Sequence, residues 1–164
     1  MYSGKSSSNS LKVAIRIRPL ESIDNTYIKP IGANRLQLTY KSNAQLFNYD
    51  YVISADCDQN YIFRTCVYDL IDDLFNGYNS TVLAYGQTSS GKTYTMGAGL
   101  TKDNITEKDF PYFGIIPRVF QEIFLKIGNN QQYRVSFSCT EIHNEKLKVN
   151  INLFGKFFKV SKVT

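Results

Sequence analysis

The chain has no tryptophan, one histidine, three cysteines and four prolines among its 164 residues. A single imidazole and the lack of any C-x-x-C pair leave a zinc site without ligands in workable spacing. Cys57, Cys66 and Cys139 are too few for a disulfide framework, and they read as reduced thiols of a cytosolic protein. No uninterrupted apolar run approaches the length of a membrane span. The opening "MYSGKSSSNS" has no apolar stretch after its charge, so residues 1–10 are expected to be a disordered leader rather than a secretory signal. There are no internal repeats and no nucleic-acid-recognition motif.

What is present suits a packed domain: 43% of residues are hydrophobic and 14% aromatic. The net charge of +5 favours anionic partners, and Lys146, Lys148, Lys156, Lys159 and Lys162 are the densest basic group. In "LKVAIRIRPL", Leu11, Val13, Ile15 and Ile17 alternate with Lys12, Ala14, Arg16 and Arg18, a strand pattern closed by Pro19. "RLQLTY" and "QLFNYDYVI" predict two further strands around the turn "KSNA". "YIFRTCVYDLIDDLFNG" places Ile62, Phe63, Val67, Leu70, Ile71, Leu74 and Phe75 at three- and four-residue steps, which predicts one helix stopped by Asn76-Gly77. "STVLAY" reads as a short strand buried on both faces. The aperiodic "GAGLTKDNITEKDFPYFG" is expected to be a long exposed loop before a helix over "IIPRVFQEIFLKIG" and a strand over "YRVSFSCTEI". Order and type together predict an α/β domain.

The stretch with the most specific chemistry is "AYGQTSSGKTYTMG", residues 84–97. Gly86, Gly91, Lys92 and Thr93 satisfy G-x-x-x-x-G-K-[ST], with Gln87, Thr88, Ser89 and Ser90 between the glycines. Glycines let the backbone curl so that N–H groups meet phosphate oxygens. Lys92 then supplies a point charge for the outer phosphates, and the Thr93 hydroxyl suits Mg²⁺. Four fixed positions match by chance on the order of once in tens of thousands of starting points. The match also sits between a predicted strand and a helix. Phosphoryl transfer further needs a carboxylate near the metal. Glu141 ends a strand whose alternation gives it a capping or solvent-facing place, and Asp72 and Asp73 lie on the amphipathic helix as ordinary solvated acids. No catalytic residue is assigned.

Four stretches, "VAIRIRPL", "FNYDYVI", "NGYNSTVLAYGQTSSGKTYTMG" and "GIIPRVFQEIF", resemble in order and spacing the front half of a kinesin motor domain. "TMGAG" followed by "GIIPR" is most similar to the chromokinesin-like branch. The resemblance runs over residues 11–146 and leaves 147–164 as a divergent tail. It implies a P-loop NTPase-type mixed sheet with helices on both faces, present as its amino-terminal half. It implies ATP and Mg²⁺ as cofactors, held by the 86–93 loop with Thr93 on the metal side. Arg16, Arg18 and Pro19 match the family's R-x-R-P beside the adenine, and Tyr94 matches a ring near that base. This strand motif argues against another P-loop NTPase, such as a small GTPase or a kinase. In "TEIHNEK", His143 stands where the family has tyrosine and is expected to be a packed side chain.

As a kinesin, the protein would be a cytoplasmic, microtubule-associated ATPase with tubulin as its partner. The family's N-x-x-S-S-R-S-H and D-L-A-G-S-E strings, which sense the γ-phosphate, do not occur in the sequence. Its principal microtubule-binding segments and central strands also follow the matched region. The expectation is therefore a truncated motor with open sheet edges and no turnover of its own. The alternative is a non-catalytic nucleotide-binding or interaction module.

Overall fold

The computed structural model describes residues 11–19, 27–97, 107–129, 133–149 and 156–162, so the leader expected over 1–10 lies outside the described residues. Two compact units divide the chain, Met1–Cys57 and Asp58–Thr164. The fold class is α/β as expected, with both parallel and antiparallel strands.

The first unit holds β1 (Ala14–Arg16), β2 (Ile28–Ile31), β3 (Arg35–Tyr40), β4 (Asn43–Asn48) and β5 (Tyr51–Ile53). The strands β2, β3 and β4 form an antiparallel meander in which Leu36 lies opposite Pro30 and Phe47. The turn between β3 and β4 puts Lys41 and Ser42 at φ 46° and 66°, the two left-handed residues that a tight mirror-type hairpin needs. "QLFNYDYVI", expected as one strand, is two strands in two sheets. Tyr49 N still donates to Asn34 O (2.8 Å), but at Asp50 the chain turns, and its carboxylate accepts from Val13 N (2.8 Å). From there β5 runs parallel to β1, with Ile15 opposite Val52. The alternation over 11–18 yields only a three-residue ladder, because β5 ends at Ile53.

In the second unit come α1 (Gln59–Cys66), α2 (Tyr68–Phe75), α3 (Lys92–Gly97), a 3-10 turn (Glu107–Tyr112), α4 (Ile115–Ile127), β6 (Tyr133–His143), β7 (Lys146–Val149) and β8 (Lys156–Lys162). Ile62, Phe63, Val67, Ile71, Ile115 and Ile123 are buried and form its apolar centre. The single helix expected over 61–77 starts earlier and is broken. Asp58 caps it, accepting from Tyr61 N at 2.6 Å. Val67 (φ −126°) then interrupts it: its carbonyl accepts from Leu70 N three residues on, while its own N–H keeps the helical bond to Phe63 O. A one-residue break leaves the apolar stripe in phase, so periodicity does not reveal it. The stop at Asn76-Gly77 is as expected. Gly77 takes φ 89°, Gly77 N donates to Leu74 O and Tyr78 N to Asp73 O, the paired bonds of a left-handed helix end. Replacing Asp58 with Ala should cost about 1 kcal/mol, read as a lower melting temperature with α1 amides exchanging faster.

Two expectations are corrected further along. "STVLAY" is not a strand: residues 80–85 carry no strand hydrogen bonding, and Leu83 and Tyr85 are 84% and 96% exposed. Strand geometry needs a laddered neighbour, and among the described residues no strand pairs with this run. The long loop before α4 includes the 3-10 turn, with residues 98–106 outside the described set. The tail, in turn, supplies a strand. Strand β6 is paired over Tyr133–Cys139 with β8, and over Thr140–His143 with β7, both antiparallel. A cavity of about 190 Å³ lies between α2, the 80–82 run and the start of α4, lined by residues such as Leu70, Ile71, Val82, Met96 and Val119.

Candidate functional site

Residues 86–91 form a loop whose shape depends on its two glycines for different reasons. Gly91 has φ 103°, a left-handed conformation that side chains rarely adopt, with open space around it. Gly86 has φ 159°, and a Cβ there would lie 2.5 Å from Ser90 Oγ, which can rotate away, and 3.2 Å from Ser90 Cβ. Ser89 adopts φ 64°, and Ser90 N donates to Gln87 O (3.2 Å), tightening the bend. Helix α3 starts directly afterwards, with Thr95 N bonded to Gly91 O (2.9 Å).

Lys92 turns back over the loop. Its Nζ donates to Gly86 O and to Gln87 O, each at 2.7 Å. Both partners are neutral carbonyls, and among the described residues no carboxylate pairs with the ammonium. Gln87, Thr88 and Ser89 are exposed, as are the neighbouring Thr93 and Tyr94. The loop is open to solvent where it would meet a ligand.

The remaining sequence-derived positions fall elsewhere. Arg16 is half-buried within β1, while Arg18 and Pro19 are exposed just beyond it; all three belong to the first unit and the loop to the second. Asp72 pairs with Lys126 of α4, and this hydrogen bond raises the lysine above its ordinary pKa. Glu141 lies on β6 opposite Lys148, and His143 lies opposite Lys146 across the turn at Asn144 and Glu145. Among the described residues no group of three or more His, Cys, Asp or Glu is placed to hold a metal ion, and no helix is long and apolar enough to cross a membrane.

Sequence reasoning missed three residues packed around α3. Gln59 Nε2 donates to Tyr94 O at 2.6 Å. Arg118 is buried on the first turns of α4, where burial pushes its guanidinium below the ordinary value, Asp58 opposes that shift and Arg64 adds to it. Gly114 lies against the backbone of α3. The available signal was a polar residue out of place: Arg118 follows Ile115 by three positions, on the side of the helix that the apolar residues occupy.

A model of the kinesin motor domain matches residues 8–151. Kinesin-related protein 8 of Dictyostelium discoideum is 39% identical over 152 residues, covering 88% of this chain and 8% of that protein. Kinesin-like protein KIF27 of Rattus norvegicus is 36% identical over 143 residues, covering 84% of this chain and 10% of that protein. The crystal structure of the Drosophila kinesin family member Kin10/NOD, in complex with divalent manganese and ADP, superposes with a TM-score of 0.68 at 27% identity, over 86% of this chain and 47% of that one. This chain therefore spans about a tenth or less of the length of those two curated relatives and about half of the solved motor chain, and it belongs to the kinesin motor domain family.

Proposed function

We propose that this chain is the nucleotide-binding part of a kinesin motor, taking Mg²⁺-ATP on residues 86–93. The observation that carries the reading is the Lys92 ammonium, poised at the mouth of a glycine-shaped loop and satisfied only by neutral carbonyls. A polyphosphate offers it stronger, charge-assisted acceptors. The donor set fits the group. Mg²⁺ binds few protein ligands when phosphates and water fill its shell, and the exposed Thr93 hydroxyl is a suitable one. The nucleotide's own chemistry is transfer of its terminal phosphoryl group. What the chain contributes is a shaped backbone, a point charge and a hydroxyl. Arg16, Arg18, Pro19 and Tyr94 are the proposed adenine contacts, with guanidinium and ring faces suited to a planar base.

In the whole motor, this site would couple ATP hydrolysis to movement on microtubules in the cytoplasm. For these 164 residues alone we propose binding without turnover, and the second reading, a non-catalytic binding module, shares that outcome. It is favoured by Asp72, whose carboxylate pairs with Lys126. Calorimetry should detect Mg²⁺-ATP binding in preference to Mg²⁺-GTP. A steady-state ATPase assay should show no stimulation by microtubules. Stimulation that disappears in a Lys92→Ala variant would overturn the second half of this reading, and absence of any nucleotide binding would overturn the first.

A further inference from the structure

Gln59 and Arg118 are the buried polar side chains among the described residues, at 2% and 5% exposure, and neither belongs to the loop. Gln59 reaches a backbone carbonyl of one short helix, and Arg118 reaches backbone carbonyls of the turn before α4. Helix α3 ends at Gly97, and the last four carbonyls of a helix have no partner inside it. Tyr94 carries one of these. Gln59 Nε2 reaches it at 2.6 Å from the start of α1, and also approaches Tyr112 O at 3.5 Å. Arg118 gathers the turn that precedes α4: Nε donates to Phe113 O (2.9 Å), Nη2 to Phe110 O (3.1 Å) and Pro111 O (3.4 Å), and Nη1 to Asn60 Oδ1 (3.3 Å). Its guanidinium also lies 4.9 Å from the Phe110 ring centroid. Gly114, between that turn and α4, sits so close to α3 that a Cβ would be 2.6 Å from Thr95 O and from Met96 C.

We propose that Gln59 is a positioning residue for the phosphate loop, capping the far end of α3 from outside, while Arg118 ties together the 110–113 turn whose Tyr112 carbonyl Gln59 also approaches. The proposal rests on the nucleotide reading of residues 86–93. A six-residue helix is roughly 9 Å long, too short to absorb a shift at one end. Fixing its last turn therefore fixes Lys92, its first residue. The interaction at Gln59 requires a donor, not just volume. A carboxylate in that place would face the Tyr94 carbonyl without a proton to give, whereas a protonated carboxyl would restore the bond. Burial favours the neutral form of such a group.

The test uses the full chain with Gln59→Glu and Gln59→Leu. Amide hydrogen exchange is read on nucleotide-free protein at pH 8 and pH 5, each against wild type at the same pH. The Glu variant should lose protection in α3 about tenfold at pH 8 and regain it at pH 5. Its Leu counterpart should lose it at both, while α4 amides around Ile123 stay protected in each. Affinity for Mg²⁺-ATP should follow the α3 pattern. Wild-type protection in Gln59→Leu, a loss that pH 5 does not restore in Gln59→Glu, or equal loss throughout α4 would overturn the proposal. If wild type binds no nucleotide, the reading of the loop fails and the exchange data still decide the role of Gln59.

Discussion

Lys92→Ala is expected to weaken Mg²⁺-nucleotide binding by about ten- to a hundredfold while leaving the melting temperature nearly unchanged. A hydrogen bond to a charged group contributes roughly 1.5–3 kcal/mol, and phosphate oxygens are stronger acceptors than the carbonyls that Lys92 holds in the free loop. Those carbonyls, Gly86 O and Gln87 O, lie at a solvent-open mouth, so water can replace the ammonium when it is removed. Binding and stability should therefore separate. Lys92→Arg should not rescue binding fully, since a planar fork cannot occupy the place of a compact point charge. Calorimetry showing equal affinity for wild type and Lys92→Ala would remove the loop from any role in phosphate binding.

Gly114→Val should destabilise the second unit by about 3 kcal/mol, at the upper end of the usual range for overpacking. The backbone there is ordinary, with φ −74° and ψ −165°, so left-handed strain plays no part. The cost comes from what the new side chain meets: Met96 C and Thr95 O at 2.6 Å and Gly97 N at 2.7 Å, all main-chain atoms that cannot swing aside. Either α3 or the start of α4 has to move. A thermal melt of Gly114→Val indistinguishable from wild type would show that the approach of these segments is looser than the structure has it.

The sequence was most informative where a residue's chemistry is local. The glycine loop could be read because left-handed φ at Gly91 and the place of Lys92 at the head of a helix follow from residue type and spacing. Helix α4 could be read from its stripe, its Pro117 and its Gly128. What could not be read depends on partners distant in the chain. Residues 80–85 have strand-like composition, yet composition cannot supply a ladder. The split at Asp50 depends on Val13, 37 residues away. Val67 breaks a helix without disturbing its period. Gln59 was invisible for the same reason: it reaches a carbonyl of another element, which no pattern of side chains records.

The parallel pairing of β1 with β5 has a kinetic consequence. Two parallel strands cannot be joined by a tight hairpin, and here the connecting chain is about 35 residues, whose closure costs entropy before any contact is made. The meander within that connection is made of local pairs: Tyr40 faces Asn43 across two residues, and Ile31 faces Arg35 across three. Once formed, it brings Asn34 to Tyr49 and Ala33 to Val52, which delivers β5 to the neighbourhood of β1. Most of the long closure is then replaced by short ones. The first unit accordingly has a built-in order of assembly, with hairpin before parallel pair, and residues at the Lys41–Ser42 turn should influence the folding rate more than those in β1 itself.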